Sequence, residues 1–307
     1  MHVAVVGPGA MGLLFACRLS QAGAAVTLID HRPERAARVA AQGVTIEDET
    51  GQSTLAIDIT ADPAALAKAD LALVCVKAHG TAQVAATLAK HLDARARALT
   101  FQNGAGNVEA LTQALGPERV LGGITSEGAT VLGPGRVRHA GRGQTHIGPA
   151  EGPPDAYCGQ AADLLARAGF AVSQVEGVQN LIWTKLIINV GINALTAILD
   201  APNGRLLDLP SARRLMDLAV DEALGVGLAY GVRFLHQDMP QAVRDVARRT
   251  AKNVSSMRAD VQNKRPTEVE FINGAVCRMG QEKGLATPIN QTLTLLVKAI
   301  EENQQPA

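Results

Sequence analysis

Lys185, Asn189 and Asn193 follow one another at intervals of four residues in an otherwise apolar stretch. On a helix this spacing keeps the three side chains within roughly an 80° arc. Leu186, Ile187, Ile188, Val190, Ile192, Leu195 and Ile198 surround them, so such a helix is expected to be buried nearly all round. One lysine and two amides buried together are costly without partners. Two readings are open. The first is a satisfied polar network between helices. The second is a cleft in which a desolvated lysine donates a proton and the amides hold a polar substrate.

A second constellation opens the chain. Gly7-Pro8-Gly9-Ala10-Met11-Gly12 has the form G-x-G-x-x-G. The motif is weak alone and gains weight here because it follows a β-branched run, 2–6, and opens a helical stretch. Gly7 permits the tight turn. Gly9 lets the backbone approach a pyrophosphate at the helix N-terminus, where Ala10 and Met11 begin the helix, and Gly12 allows close packing of helix on strand. The next strand ends in Asp30-His31-Arg32. Asp30 has the placement of a carboxylate that accepts ribose hydroxyls, which points to NAD, or it caps the helix that begins near Pro33. Arg32 with His31 suits a 2′-phosphate, which points to NADP. Lys77 and Asn103 each end a later strand, at the carboxyl edge where doubly wound sheets bind ligands. A solvated lysine and a turn asparagine are the alternatives.

The elements that would position these residues alternate through the first half. Strands are expected over 2–6, 25–29, 71–76, 98–101, 120–124 and 171–175, with helices over 9–23, 33–42, 81–92, 107–115 and 156–168. The run 71–76 is apolar throughout, as for a central strand buried on both faces. Residues 129–148 read as a β-ribbon appended to the sheet. The second half carries helical spacing only, over 177–199, 211–230, 240–253, 267–283 and 287–301, and residues from 302 on read as a fraying polar tail. The expected fold is therefore an α/β Rossmann-type doubly wound domain, 1–176, followed by an all-α domain, 177–307, with the site in the cleft between them.

Composition narrows the function. Lys plus Arg and Asp plus Glu both number 29, and there are 5 Phe, 2 Tyr and 1 Trp. A neutral chain so poor in aromatic rings is a poor candidate for a nucleic-acid partner. No secretion signal is visible, and the longest apolar segment, interrupted by Asn189 and Asn193, reads as too short for a membrane span. Four scattered cysteines suit free thiols in a reducing, cytoplasmic setting, with no metal-ligand spacing.

Trp183, Lys185, Asn189, Asn193 and Leu195-Thr196-Ala197, followed by Pro202-Asn203-Gly204, resemble a signature of the ketopantoate reductase (2-dehydropantoate 2-reductase) family. Asn253, Ser255-Ser256-Met257 and Asp260, then Thr267-Glu268 and Ile272-Asn273-Gly274, resemble the second signature. The glycine loop and Gln102-Asn103-Gly104 match as well, so the likeness runs over residues 1 to 300. It implies a helical domain like that of 6-phosphogluconate dehydrogenase. It implies Lys185 as general acid and Glu268 as its partner in proton handling and substrate binding. Asn189, Asn193, Ser256 and Asn203 would hold the substrate, Asn103 would lie by the nicotinamide and Lys77 nearer the adenine ribose. Asp260 matches a motif position without an assignable role. The implied reaction is NAD(P)H-dependent reduction of a 2-oxo acid, foremost 2-dehydropantoate to (R)-pantoate in pantothenate biosynthesis. Family likeness and Arg32 favour NADP, and Asp30 keeps NAD in view. Alternatives are a related 2-oxo acid reductase, a 3-hydroxyacid dehydrogenase and a non-catalytic NAD(P)H sensor. A homodimer through the helical half is the expected assembly.

Overall fold

The computed structural model describes residues 1–304. They divide into two compact units, one of residues 1–102 with 107–179, the other of residues 103–106 with those from 180 on.

The first unit runs β1 (His2–Val6), α1 (Ala10–Gln21), β2 (Ala25–Ile29), α2 (Pro33–Gln42), β3 (Val44–Asp48), β4 (Gly51–Leu55), β5 (Asp58–Thr60), β6 (Leu71–Val74), α3 (Thr81–His91), β7 (Arg97–Thr100), α4 (Asn107–Leu115), β8 (Val120–Thr125), β9 (Gly128–Gly133), β10 (Arg136–Gly141), β11 (Gln144–Pro149), α5 (Ala156–Arg167) and β12 (Ala171–Gln174). Eight strands form one sheet in the order β12-β11-β8-β7-β6-β1-β2-β5. The pairs from β8 to β5 are parallel, and β11 is antiparallel to β8. The strand order reverses between β1 and β6, which is the switch point where such sheets open a crevice at their carboxyl ends. The Gly7 turn leaves β1 there, and Lys77 lies just beyond β6.

Residues 129–148 depart from the expected ribbon. Only β11 joins the large sheet, whereas β9 and β10 pair with β3 and β4 in a separate sheet of order β4-β3-β10-β9. The β3–β4 hairpin closes around Asp48, which accepts from the Thr50 N–H at 2.8 Å. Arg18 of α1 ties itself to this second sheet by donating to Asp48 Oδ2 at 2.6 Å and to His139 Nδ1 at 3.0 Å, while His139 Nε2 lies 2.5 Å from Glu127 Oε2. An arginine cannot accept, so the proton on His139 sits on Nε2 and points at Glu127.

The second unit is helical: α6 (Gln179–Ile198), α7 (Arg205–Asp208), α8 (Pro210–Ala229), α9 (Met239–Arg249), α10 (Ser256–Gln262), α11 (Asn273–Glu282) and α12 (Pro288–Gln304). The helix α12 continues through the start of the polar tail, and residues 305–307 lie outside the described ones. By length and composition α6 reaches what a membrane crossing requires, contrary to the expectation from its asparagines, yet 67% of that window is buried in the fold. It is the central helix of the unit's core. Gly191 marks how closely its neighbours approach, since a Cβ there would stand 2.8 Å from Val243 and 2.9 Å from Val220.

Candidate active site

The glycine loop has the geometry that a dinucleotide requires. Gly7 has φ +102°, and a Cβ at Gly12 would lie 2.0 Å from the Gly7 carbonyl oxygen. Those two glycines are demanded by the protein itself. At Gly9 nothing comes nearer a Cβ than the Cys75 carbonyl oxygen at 3.8 Å, so glycine there keeps open the space in front of the loop. No side chain caps α1 and its first turn carries no acid. The N–H groups at Ala10, Met11 and Gly12 therefore begin a helix whose positive end suits the anionic bridge of a dinucleotide.

Asp30 is placed differently from the expectation of a ribose acceptor. Its side chain is 0% exposed. Arg35 donates to Oδ2 at 2.5 Å and to Oδ1 at 2.6 Å, and the Arg32 N–H donates to Oδ1 at 3.0 Å. Burial pushes the Asp30 pKa up, but these donors outweigh it and hold the carboxyl below its usual value. His31 and Arg32 are exposed, with Arg32 Nε donating to His31 Nε2 at 3.3 Å.

Gln102 organises the carboxyl edge. Its amide donates to the Val76 carbonyl at 2.8 Å and to Thr81 Oγ1 at 2.7 Å, and Thr81 donates to Asn107 Oδ1 at 2.7 Å. The turn that carries Lys77 is thereby fixed to the end of β7. Asn103 follows in a short segment that groups with the helical unit. There the Ala105 N–H donates to the Phe271 carbonyl at 3.0 Å, and a Cβ at Gly104 would meet that oxygen at 2.3 Å.

On α6, burial pulls the Lys185 pKa down from 10.5 to about 8, while the charge of Glu268 works in the opposite direction. Glu268 is 7% exposed and Asn193 6%, and Asn189 is half-buried. Lys185 and Glu268, far apart in sequence, thus feel one another directly. Glu268 does not open a helix as expected. It precedes a 3-10 turn, Val269–Phe271, and α11 begins only at Asn273, because Ile272 leaves helical geometry at φ −107°, ψ −90°. Thr267, just before it, donates its N–H to Glu301 of α12 at 2.7 Å.

Ser256 is exposed at the first position of α10, and Ser255 caps that helix. Asn203 is buried. Its amide donates to Thr250 Oγ1 at 2.9 Å, and its N–H donates to the Asn253 carbonyl, so it pins the end of α9. Asp260 is 5% exposed with Arg265 Nε at 3.4 Å. Among the described residues no His/Cys/Asp/Glu group could hold a metal. Sequence reasoning missed Arg35, the Gln102–Thr81–Asn107 network and the Thr196–Ser255 bond. The last had a signal, because Thr196 and Ser255 lie inside the two signatures, and of the network only Gln102 did, in the matching Gln102-Asn103-Gly104 turn.

Comparison with known proteins agrees with both halves of this description. The family model "Ketopantoate reductase PanE/ApbA" matches residues 3–152, and its C-terminal counterpart matches residues 177–301. A 2-dehydropantoate 2-reductase of Halobacterium salinarum is 38% identical, covering 99% of this chain and 100% of its own. The crystal structure of a PanE/ApbA family ketopantoate reductase from Ralstonia eutropha JMP134 has a TM-score of 0.92 at 32% identity, covering 100% of both chains. A D-mandelate dehydrogenase with NADH and anilino(oxo)acetate also has a TM-score of 0.92, at 25% identity and 99% coverage of both. Matched by family models over both its halves and by a full-length relative well above 30% identity, the chain belongs to the ketopantoate reductase PanE/ApbA family.

Proposed function

We propose that the protein reduces 2-dehydropantoate to (R)-pantoate with NADPH, in pantothenate biosynthesis. The observation that carries this is Lys185, half-buried on α6 with its pKa pulled down to about 8, set on one helix face with Asn189 and Asn193 and in the field of Glu268. The named activity of the relatives supports the choice of substrate.

Bound along the glycine loop, NADPH would supply the hydride. The chain's residues have the remaining work. Reduction of a ketone builds negative charge on the carbonyl oxygen, which a cationic Lys185 stabilises and then protonates through Nζ. Glu268 keeps a share of Lys185 charged against the cost of burial. Asn189 and Asn193 can donate and accept on the same face, and suit the hydroxyl and carboxylate of a hydroxylated 2-oxo acid. Ser256 offers a further donor at the head of α10. Asn103 would border the nicotinamide, and Lys77 the adenine-ribose side.

Exposed Arg32 and His31 support NADPH, since both can meet a 2′-phosphate. The D-mandelate dehydrogenase relative, solved with NADH, is the reason to measure both cofactors. The reading includes a cytoplasmic enzyme, which suits four free cysteines. It also includes a homodimer, for which exposed Leu228, Leu295 and Leu296 supply apolar surface. Nicotinamide absorbance at 340 nm, followed with a panel of 2-oxo acids and both cofactors, tests the function. A clear preference for 2-dehydropantoate and NADPH is expected. Preference for an aromatic 2-oxo acid such as phenylglyoxylate would overturn the substrate, and preference for NADH the cofactor.

A further inference from the structure

Asp30 sits where an acidic side chain would ordinarily reject a 2′-phosphate, by repulsion and by accepting the ribose hydroxyls itself. In this protein that carboxylate has no surface to offer, at 0% exposure. Its two oxygens are taken by Nε and Nη2 of Arg35, five residues on, at 2.5 and 2.6 Å. The pair is the two-pronged arrangement in which an arginine holds a carboxylate most firmly. Arg35 is placed for it by Pro33, which starts α2 with its φ already set and brings the helix's first turn back over the end of β2. Its side chain remains 30% exposed, so the cation is shared between a buried acid and the surface.

We propose that Arg35 is a specificity-determining residue that acts through Asp30. By drawing the carboxylate inward and neutralising it, Arg35 removes the acceptor that a ribose 2′-hydroxyl would use and leaves Arg32 and His31 as the exposed groups at this end of the site. A chain with an acid at the end of its second strand is thereby made fit for a 2′-phosphorylated dinucleotide. The inference rests on the NADPH reading given above. It differs from direct recognition of the phosphate by Arg35, because its effect disappears when Asp30 loses its charge.

The test is calorimetric binding of adenosine 2′,5′-bisphosphate and of adenosine 5′-monophosphate, which differ only by the 2′-phosphate, alongside kcat/KM with NADPH and NADH. In Arg35→Gln the freed carboxylate is expected to lower bisphosphate affinity relative to monophosphate by roughly tenfold or more, with the NADPH-to-NADH ratio moving the same way. In Arg35→Gln/Asp30→Asn, where two amides replace the pair and no lone charge is buried, the bisphosphate-to-monophosphate ratio is expected to stand at the wild-type value. If the single variant does not fold, the double variant still keeps the proposal falsifiable, because a fall in its ratio would mean that Arg35 meets the phosphate directly. A ratio unchanged in Arg35→Gln, or one that falls in the double variant, overturns the proposal while leaving NADPH preference intact. A wild-type protein that binds both nucleotides equally overturns the NADPH reading itself and the inference with it.

Discussion

Thr196 Oγ1 and Ser255 Oγ lie 2.7 Å apart, both side chains buried, and so join α6 to the head of α10. The direction of the bond follows from the neighbours. Thr196 donates to the Asn193 carbonyl at 2.9 Å, and Ser255 accepts the Arg258 N–H at 3.1 Å. Ser255 must then donate to Thr196, giving one ordered chain from the α10 cap to the backbone at Asn193. The bond holds exposed Ser256 in fixed register with the Lys185 helix.

Thr196→Val keeps the shape and removes the link. Ser255 loses its acceptor, so a stability loss of about 1–2 kcal/mol is expected. The KM for the oxo acid should rise while cofactor binding stays unchanged. A double-mutant cycle with Ser255→Ala should show coupling of about 0.5 kcal/mol or more by denaturant unfolding. Additive losses would mean that the bond positions nothing.

The pH profile follows from Lys185. Reduction needs the lysine charged, so kcat/KM should fall as pH rises through about 8. Glu268 raises the lysine pKa, so Glu268→Gln should move that midpoint to lower pH and weaken substrate binding as well. A stopped-flow profile in both proteins checks this. An unmoved midpoint would remove Glu268 from proton handling.

Much of this site is legible in the sequence because it is local. The glycine loop needs only its own residues and the flanking strand, and the Lys185–Asn189–Asn193 face needs only helical periodicity. What lies hidden depends on partners distant in the chain. The hairpin β3–β4 pairs through Thr45 with Arg136, some ninety residues later, and nothing in the local polar sequence announces that partner. Asp30 reads as an available carboxylate until Arg35 is seen to close over it. Glu268 reads as a helix start because Pro266 and Thr267 resemble one. Only the backbone at Ile272 separates its 3-10 turn from α11.

Two of the loop glycines should respond differently. Gly12→Ala must displace the Gly7 carbonyl, with which its Cβ would overlap at 2.0 Å, and is expected to destabilise the first unit by roughly 2 kcal/mol or more. Gly9→Ala meets no protein atom closer than 3.8 Å, so it should fold normally and lose dinucleotide affinity. Thermal melting and calorimetric titration separate the two. Normal affinity in Gly9→Ala would mean that the backbone there does not approach the ligand.

Lys185 should set function against stability. Its folded pKa of about 8 lies below the ordinary 10.5, so between those values the unfolded chain binds more protons than the folded one, and stability rises with pH. Below about pH 8 the full cost of a partly desolvated charge is present, offset in part by Glu268. Lys185→Met retains most of the volume and removes that charge, at the expense of leaving Glu268 without its cation. If burial dominates, as the direction of the lysine's shift requires, the variant should melt higher than wild type at pH 7, with the difference shrinking towards pH 10.5. The same substitution should cut kcat by about 10²–10⁴-fold, the usual worth of a general acid, while dinucleotide affinity holds. Near-normal turnover would end the role of Lys185 as proton donor. A lower melting temperature at pH 7 with turnover lost would show instead that buried Glu268, deprived of the lysine's charge, costs more than the charged lysine did.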